Sequence, residues 1–141
     1  PVPVTRRDGS SNAETLTLSF DTYFDRRTAY SFSISSGGVR SDYYHGQDSQ
    51  SDRQYEYDPI WTAKARVDST GWTAEMRIPF SQLRFGAKDQ VWGLEIERLI
   101  TNRICHATVE HPIVPAKLID VLAGVPQETE QALTPIVSLR A

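Results

Sequence analysis

Apolar and polar side chains alternate with a period of two along much of this chain, the pattern of half-buried β-strands rather than of helices. The alternation is clearest over residues 61–85, WTAKARVDSTGWTAEMRIPFSQLRF. Ala63, Ala65 and Val67 alternate with Lys64 and Arg66. The turn-forming run Asp68-Ser69-Thr70-Gly71 follows, and then Trp72, Ala74, Met76 and Ile78 alternate with Thr73, Glu75 and Arg77. This predicts a β-hairpin with one face in the core and one in water. Leu16, Leu18 and Phe20 set the same rhythm over Thr15 to Phe20, as do Tyr30, Phe32 and Ile34 over Ala29 to Ser35, and the two strands are expected to pair. The charged residues 21–28 connect them, and Ser36-Gly37-Gly38 closes the second strand. Pro79 to Leu83 reads as a short turn. Val91 to Arg98 reads as a strand with Trp92, Leu94 and Ile96 inward and Glu95 and Glu97 outward.

Other segments lack this rhythm. Residues 1–14 hold two prolines and an Asp-Gly-Ser-Ser-Asn cluster, and predict a lead-in loop. Residues 41–59, SDYYHGQDSQSDRQYEYDP, are acidic and tyrosine-rich without periodicity, and predict a long surface loop. Beyond Arg98, short strands are expected at 107–109, 117–123 and 133–140, separated by Pro112, Pro115, Pro126 and Pro135. With many strands and no amphipathic helix, the expected fold is an all-β, antiparallel β-sandwich of immunoglobulin-like or jelly-roll-like form. The sandwich is placed at 15–125, with 126–141 a C-terminal strand or a junction towards a following domain.

The chain has 141 residues, enough for one domain with a core of ordinary size. Its net charge of −3, with no run of Lys or Arg, offers no field for phosphates and argues against nucleic acid as a partner. No apolar run is long enough to span a membrane as a helix. Cys105 is the single cysteine, so no internal disulfide is expected.

Three stretches carry a resemblance: LTLSFDTYFDRRTAYSFSISSGGVRSD, DPIWTAKARVDSTGWTAEMRIPFSQLRF and WGLEIER. Over residues 15–98 they resemble the carbohydrate-binding module family nine-like domain of bacterial envelope proteins, which commonly stands ahead of an outer-membrane-like β-barrel. The resemblance implies a copy truncated at its N-terminus. It also implies a non-catalytic module of a larger envelope or carbohydrate-catabolic, glycoside hydrolase-associated protein. Its partners would be a sugar and a C-terminal barrel of the same polypeptide, and its location periplasmic or at the outer membrane. The family's stacking tryptophan, the glutamate after it and a strand arginine align near Ser11, Thr17 and Ser33. Glu97 stands where sugar-binding relatives have an amide, with Glu95 two residues before it on the same face.

Trp61, Trp72 and Trp92 share the parity of core residues, which leaves tyrosines as the stacking surfaces for a ligand. The candidate sugar site therefore joins Tyr43, Tyr44, Tyr55 and Tyr57 from residues 41–59 to Glu95, Glu97 and Arg77. Glu95 and Glu97, i and i+2 on a strand, start about 6.6–7 Å apart, a separation also found in inverting glycosidases. Nothing in their surroundings would raise a carboxyl pKa, so no catalytic role is assigned. Cys105, His106, Glu110 and His111 bring metal-ligating types together, but without the spacing of a four-ligand zinc site. No cofactor is expected, with calcium the one candidate through Asp42, Asp48, Asp52 and Asp58. Haem would need an axial ligand, and His45, His106 and His111 fall in predicted loops while Met76 faces the core. The alternative to sugar binding is a structural or protein-interaction sandwich attached to the barrel.

Overall fold

The computed structural model describes residues 13–47, 51–69, 71–86 and 91–100, and the backbone of 103–113 and 136–140. Among the described residues nine strands follow one another: β1 (Thr15–Asp21), β2 (Ala29–Ser35), β3 (Arg40–His45), β4 (Arg53–Gln54), β5 (Thr62–Asp68), β6 (Gly71–Arg77), β7 (Trp92–Ile100), β8 (Arg103–Ile113) and β9 (Ile136–Arg140). A 3₁₀ turn, Phe80–Gln82, follows Pro79 where a turn is expected. The strands form two antiparallel sheets, ordered β4-β3-β2-β1-β7-β8 and β5-β6-β9, and the fold is an all-β sandwich. No helix among the described residues is long and apolar enough to cross a membrane.

Period-two alternation explains how the sheets meet. From the larger sheet, Leu16, Leu18, Phe20, Tyr30, Phe32, Ile34, Trp92 and Leu94 turn inward. From the smaller come Trp72, Ala74 and Met76, and Trp61, Ile78 and Leu83 fill in from the connections. Phe20, Phe32 and Trp61 meet edge to face, at centroid distances of 6.1 Å for Phe20–Phe32 and 5.2 Å for Phe32–Trp61. All three tryptophans are buried, as their parity predicts.

The expected pairings are present. Leu16 lies opposite Ile34 and Leu18 opposite Phe32, while Ala65 opposite Ala74 and Val67 opposite Trp72 set the central hairpin. Gly38, at φ +81°, donates its N–H to Ser35 O at 2.8 Å and closes β2 onto β3. The β1–β2 connection is held by two aspartates. Asp21 accepts the amides of Tyr23, Asp25 and Arg26, and Asp25 accepts those of Arg27 and Thr28. Slight burial pushes the Asp25 carboxyl the other way, yet the Thr28 and Arg27 amides hold it below its ordinary value.

Three expectations need correction. Residues 41–59 are not one long loop, because residues 40–45 form a full strand and 53–54 a short edge strand. The period-two signal is hidden in β3 because its inward positions are Arg40, Asp42 and Tyr44. Arg40 and Asp42 find partners in the connection before β5: Trp61 Nε1 donates to Asp42 Oδ1 at 2.8 Å, and the Arg40 guanidinium donates to the Trp61 carbonyl. Val67, expected on the core face, is exposed because β5 is the edge strand of its sheet and Val67 lies beside the turn at its end. The strand expected at 107–109 extends over 103–113 and includes Pro112. The β7–β8 register shifts between Trp92 and Leu94, so Pro112 falls in the irregular stretch of an edge strand, where its missing N–H is tolerated. The strand expected at 117–123 lies outside the described residues, as does most of the lead-in loop. The one expected at 133–140 is present over 136–140.

Candidate functional site

The outward face of the larger sheet carries the polar half of the alternation. Register lines up Glu95, Ser19, Ser31 and Tyr43 across four strands, with Glu97, Thr17, Ser33 and Ser41 in the next row. Hydroxyls knit the face together: Thr17 donates to Ser33 at 3.0 Å, and Ser19 and Ser31 share a hydrogen bond of 2.8 Å. At the β3–β4 end the face becomes aromatic. The Arg53 guanidinium lies over the Tyr43 ring, 4.8 Å from its centroid, and hydrogen-bonds Tyr55. The Tyr55 ring lies 5.6 Å from Tyr43, and His45 flanks Tyr43 at 5.1 Å.

Burial differs sharply within this group. Tyr43 is only 5% exposed and hydrogen-bonds Ser31, whereas Tyr55 is 48% exposed. Burial pushes the Tyr43 phenol above its ordinary value, with Arg53 opposing the shift and Glu97 reinforcing it. Tyr43 is thus a neutral base layer at physiological pH. Tyr55 and Arg53 are the exposed members of this group, beside exposed Glu95 and half-buried Glu97.

The seven predicted site residues therefore separate into three places. Tyr43, Tyr55, Glu95 and Glu97 share the outward face of the larger sheet. Tyr44 and Tyr57 do not join them, because both pack against the core. Tyr44 stacks on Tyr30 at 4.9 Å and Tyr57 at 5.1 Å, and the Tyr57 hydroxyl donates to Gln82 O at 2.7 Å. Burial pushes the Tyr57 phenol upward, reinforced by Tyr30 and Asp42. Arg77 is exposed on β6 between inward-facing Met76 and Ile78, on the solvent side of the other sheet and across the core from the glutamates. Arg53 is the residue that sequence reasoning missed. Its place follows from pairing with His45 on β4, and a two-residue strand leaves no periodic signal.

The calcium candidates are also dispersed. Asp42 turns into the core to meet Trp61, Asp58 is exposed, Asp52 is half-buried and Asp48 lies outside the described residues. Among the described residues no three His, Cys, Asp or Glu side chains form a metal-holding group. Cys105, His106, Glu110 and His111 lie on β8, where the backbone alone is described. Register sets His106 opposite Glu97 and Cys105 opposite Arg98.

Comparison with known family models, curated proteins and solved structures found no match.

Proposed function

We propose that this chain is a non-catalytic carbohydrate-binding sandwich whose site is the outward face of the larger sheet at its β3–β4 end. One observation carries the reading: the half-exposed Tyr55 ring is fixed by Arg53 and Tyr43 on a face that also presents Glu95 and Glu97. A sugar offers C–H faces to a flat ring and hydroxyls to charged side chains, and this face offers both partners on rigid strands. Because Arg53 and Glu97 have opposite charge and act on each other, the face suits a neutral sugar. Membership of a larger bacterial envelope or carbohydrate-catabolic protein, with a barrel following, rests on the sequence resemblance.

The test is calorimetric titration of the folded chain with a panel of mono- and oligosaccharides, with Tyr55→Ala and Glu97→Gln as probes. Saturable binding weakened about tenfold by Tyr55→Ala is expected, the value of one aromatic contact. No binding to any sugar, or binding untouched by both substitutions, defeats the reading. A second reading is favoured by the seven-residue β5, whose outer edge is open among the described strands and carries exposed Val67 near its end. Such an edge is suited to pairing with another chain, as in a structural or protein-interaction domain.

A further inference from the structure

Two rows of outward side chains cross the larger sheet: Tyr43, Ser31, Ser19 and Glu95 in one, and Ser41, Ser33, Thr17 and Glu97 in the other. In both, β2 and β1 supply only small hydroxyl residues. On one side β3 and β4 raise an aromatic and cationic wall of Tyr43, Arg53 and Tyr55, and on the other β7 raises an acidic wall. The face is therefore a trough with a hydroxyl floor and two unlike walls. Thr17 and Ser31 are buried and bond to Ser33 and Ser19, and Ser31 also bonds to the Tyr43 phenol. Ser19 and Ser33 are half-buried and form the open part of the floor. A hydroxyl has one donor and two acceptor sites, so one bond to a neighbour leaves each with capacity for a ligand.

The breadth of the trough decides what can lie in it. β3 and β7 stand three strand spacings apart, about 14 Å between backbones. Tyr55 lies farther out still. It follows Arg53 and Gln54 of β4, on the side of Tyr43 away from β2, with its ring 5.6 Å from that of Tyr43. The Tyr43 phenol has already crossed to Ser31 on β2, and from there two spacings, about 10 Å, remain to the backbone that carries Glu95. A single pyranose stacked on Tyr55 cannot also hydrogen-bond Glu95.

We infer that the ligand of this face is a neutral oligosaccharide of at least two sugar residues, lying across the strands from Tyr55 to Glu95; this deepens, and rests on, the reading of the face as a sugar site. One ring stacks on Tyr55 beside Arg53, and the next lies over Ser19 and Ser33 with its hydroxyls on Glu95. The small side chains of β1 and β2 are what make room for that second ring. A peptide strand fits less well, because strand addition needs a sheet edge, and in the interior of this sheet the backbone groups are already paired.

The experiment is calorimetric titration of the full chain with cello-, xylo- and manno-oligosaccharides of one to five residues, the fold being monitored by emission of its three buried tryptophans. In the series that binds, affinity is expected to rise about tenfold or more from one residue to the length that spans the trough, and then to level off. Glu95→Ala should weaken the spanning oligosaccharide about tenfold and leave the monosaccharide unchanged, whereas Tyr55→Ala should weaken both. Ser19→Leu/Ser33→Leu, which fills the floor, should also weaken only the longer ligand. A monosaccharide bound as tightly as every longer chain, and weakened by Tyr55→Ala, overturns the bridging ligand and leaves the sugar site standing. An oligosaccharide indifferent to Glu95→Ala overturns it as well. No binding at any length overturns both the bridging ligand and the sugar site.

Discussion

Truncation of Asp42 tests how β3 is tied into the core. Asp42 is 2% exposed and its Oδ1 accepts Trp61 Nε1 at 2.8 Å, while Trp61 is itself buried and cut off from water. In Asp42→Ala the indole N–H loses this acceptor, at a cost of about 1–3 kcal/mol for a stranded buried donor. The space vacated by the carboxyl adds a smaller packing loss, so about 3 kcal/mol is expected. Asp42→Asn keeps an acceptor oxygen and should cost about 1 kcal/mol. Urea unfolding followed by tryptophan emission reads the difference. At a slope of roughly 2 kcal/mol per M, Asp42→Ala shifts the midpoint down by about 1.5 M. Trp61→Phe removes the donor, so the double variant Asp42→Ala/Trp61→Phe should recover about 1–2 kcal/mol relative to the sum of the singles. Strict additivity, or an Asp42→Ala cost below about 0.5 kcal/mol, would refute the argument that this hydrogen bond makes a polar strand fit the core.

Two further predictions concern pH. Tyr57 has its folded phenol pKa raised above the usual 10.0, so its stabilising contribution is complete below pH 10 and fades as pH rises towards the folded value. Tyr57→Phe should cost about 1 kcal/mol at neutral pH for the lost bond to Gln82. The gap to the parent chain should narrow above about pH 10, and a gap that stays constant in alkaline urea melts contradicts the assignment. Asp25 has its folded pKa lowered below 3.8, so its contribution is present above about pH 4 and is lost as pH falls through the folded value. Asp25→Asn should therefore be less stable than the parent near neutrality and converge with it in acid; amide exchange at Arg27 and Thr28 gives the local readout.

The sequence revealed those strands whose inward positions are apolar. β1, β2, β6 and most of β7 announce themselves through Leu16, Phe32, Met76, Trp92 and their neighbours, and the hairpin register follows from the turn at 68–71. β3 is illegible because Arg40, Asp42 and Tyr44 face inward, and the fit of Arg40 and Asp42 depends on Trp61, which no local pattern connects to them. That omission also scattered the candidate site. Without β3, Tyr43 and Tyr44 read as one cluster, although adjacent strand residues face opposite ways. Arg77 reads with Glu95 and Glu97 because all three face water. Which sheet a strand joins depends on long-range pairing that side-chain parity does not encode.

The smaller sheet pairs β6 with β9, from a distant part of the chain. During synthesis, the β5–β6 hairpin leaves the ribosome long before Ile136–Arg140 arrives to cover its inner edge. Until then it is a two-stranded ribbon, marginal alone, with the edge of β6 open to any passing strand. A chain stalled or cleaved before Ile136 is thus expected to be sticky rather than merely weakened, and β9 is the clasp that covers the open edge of β6.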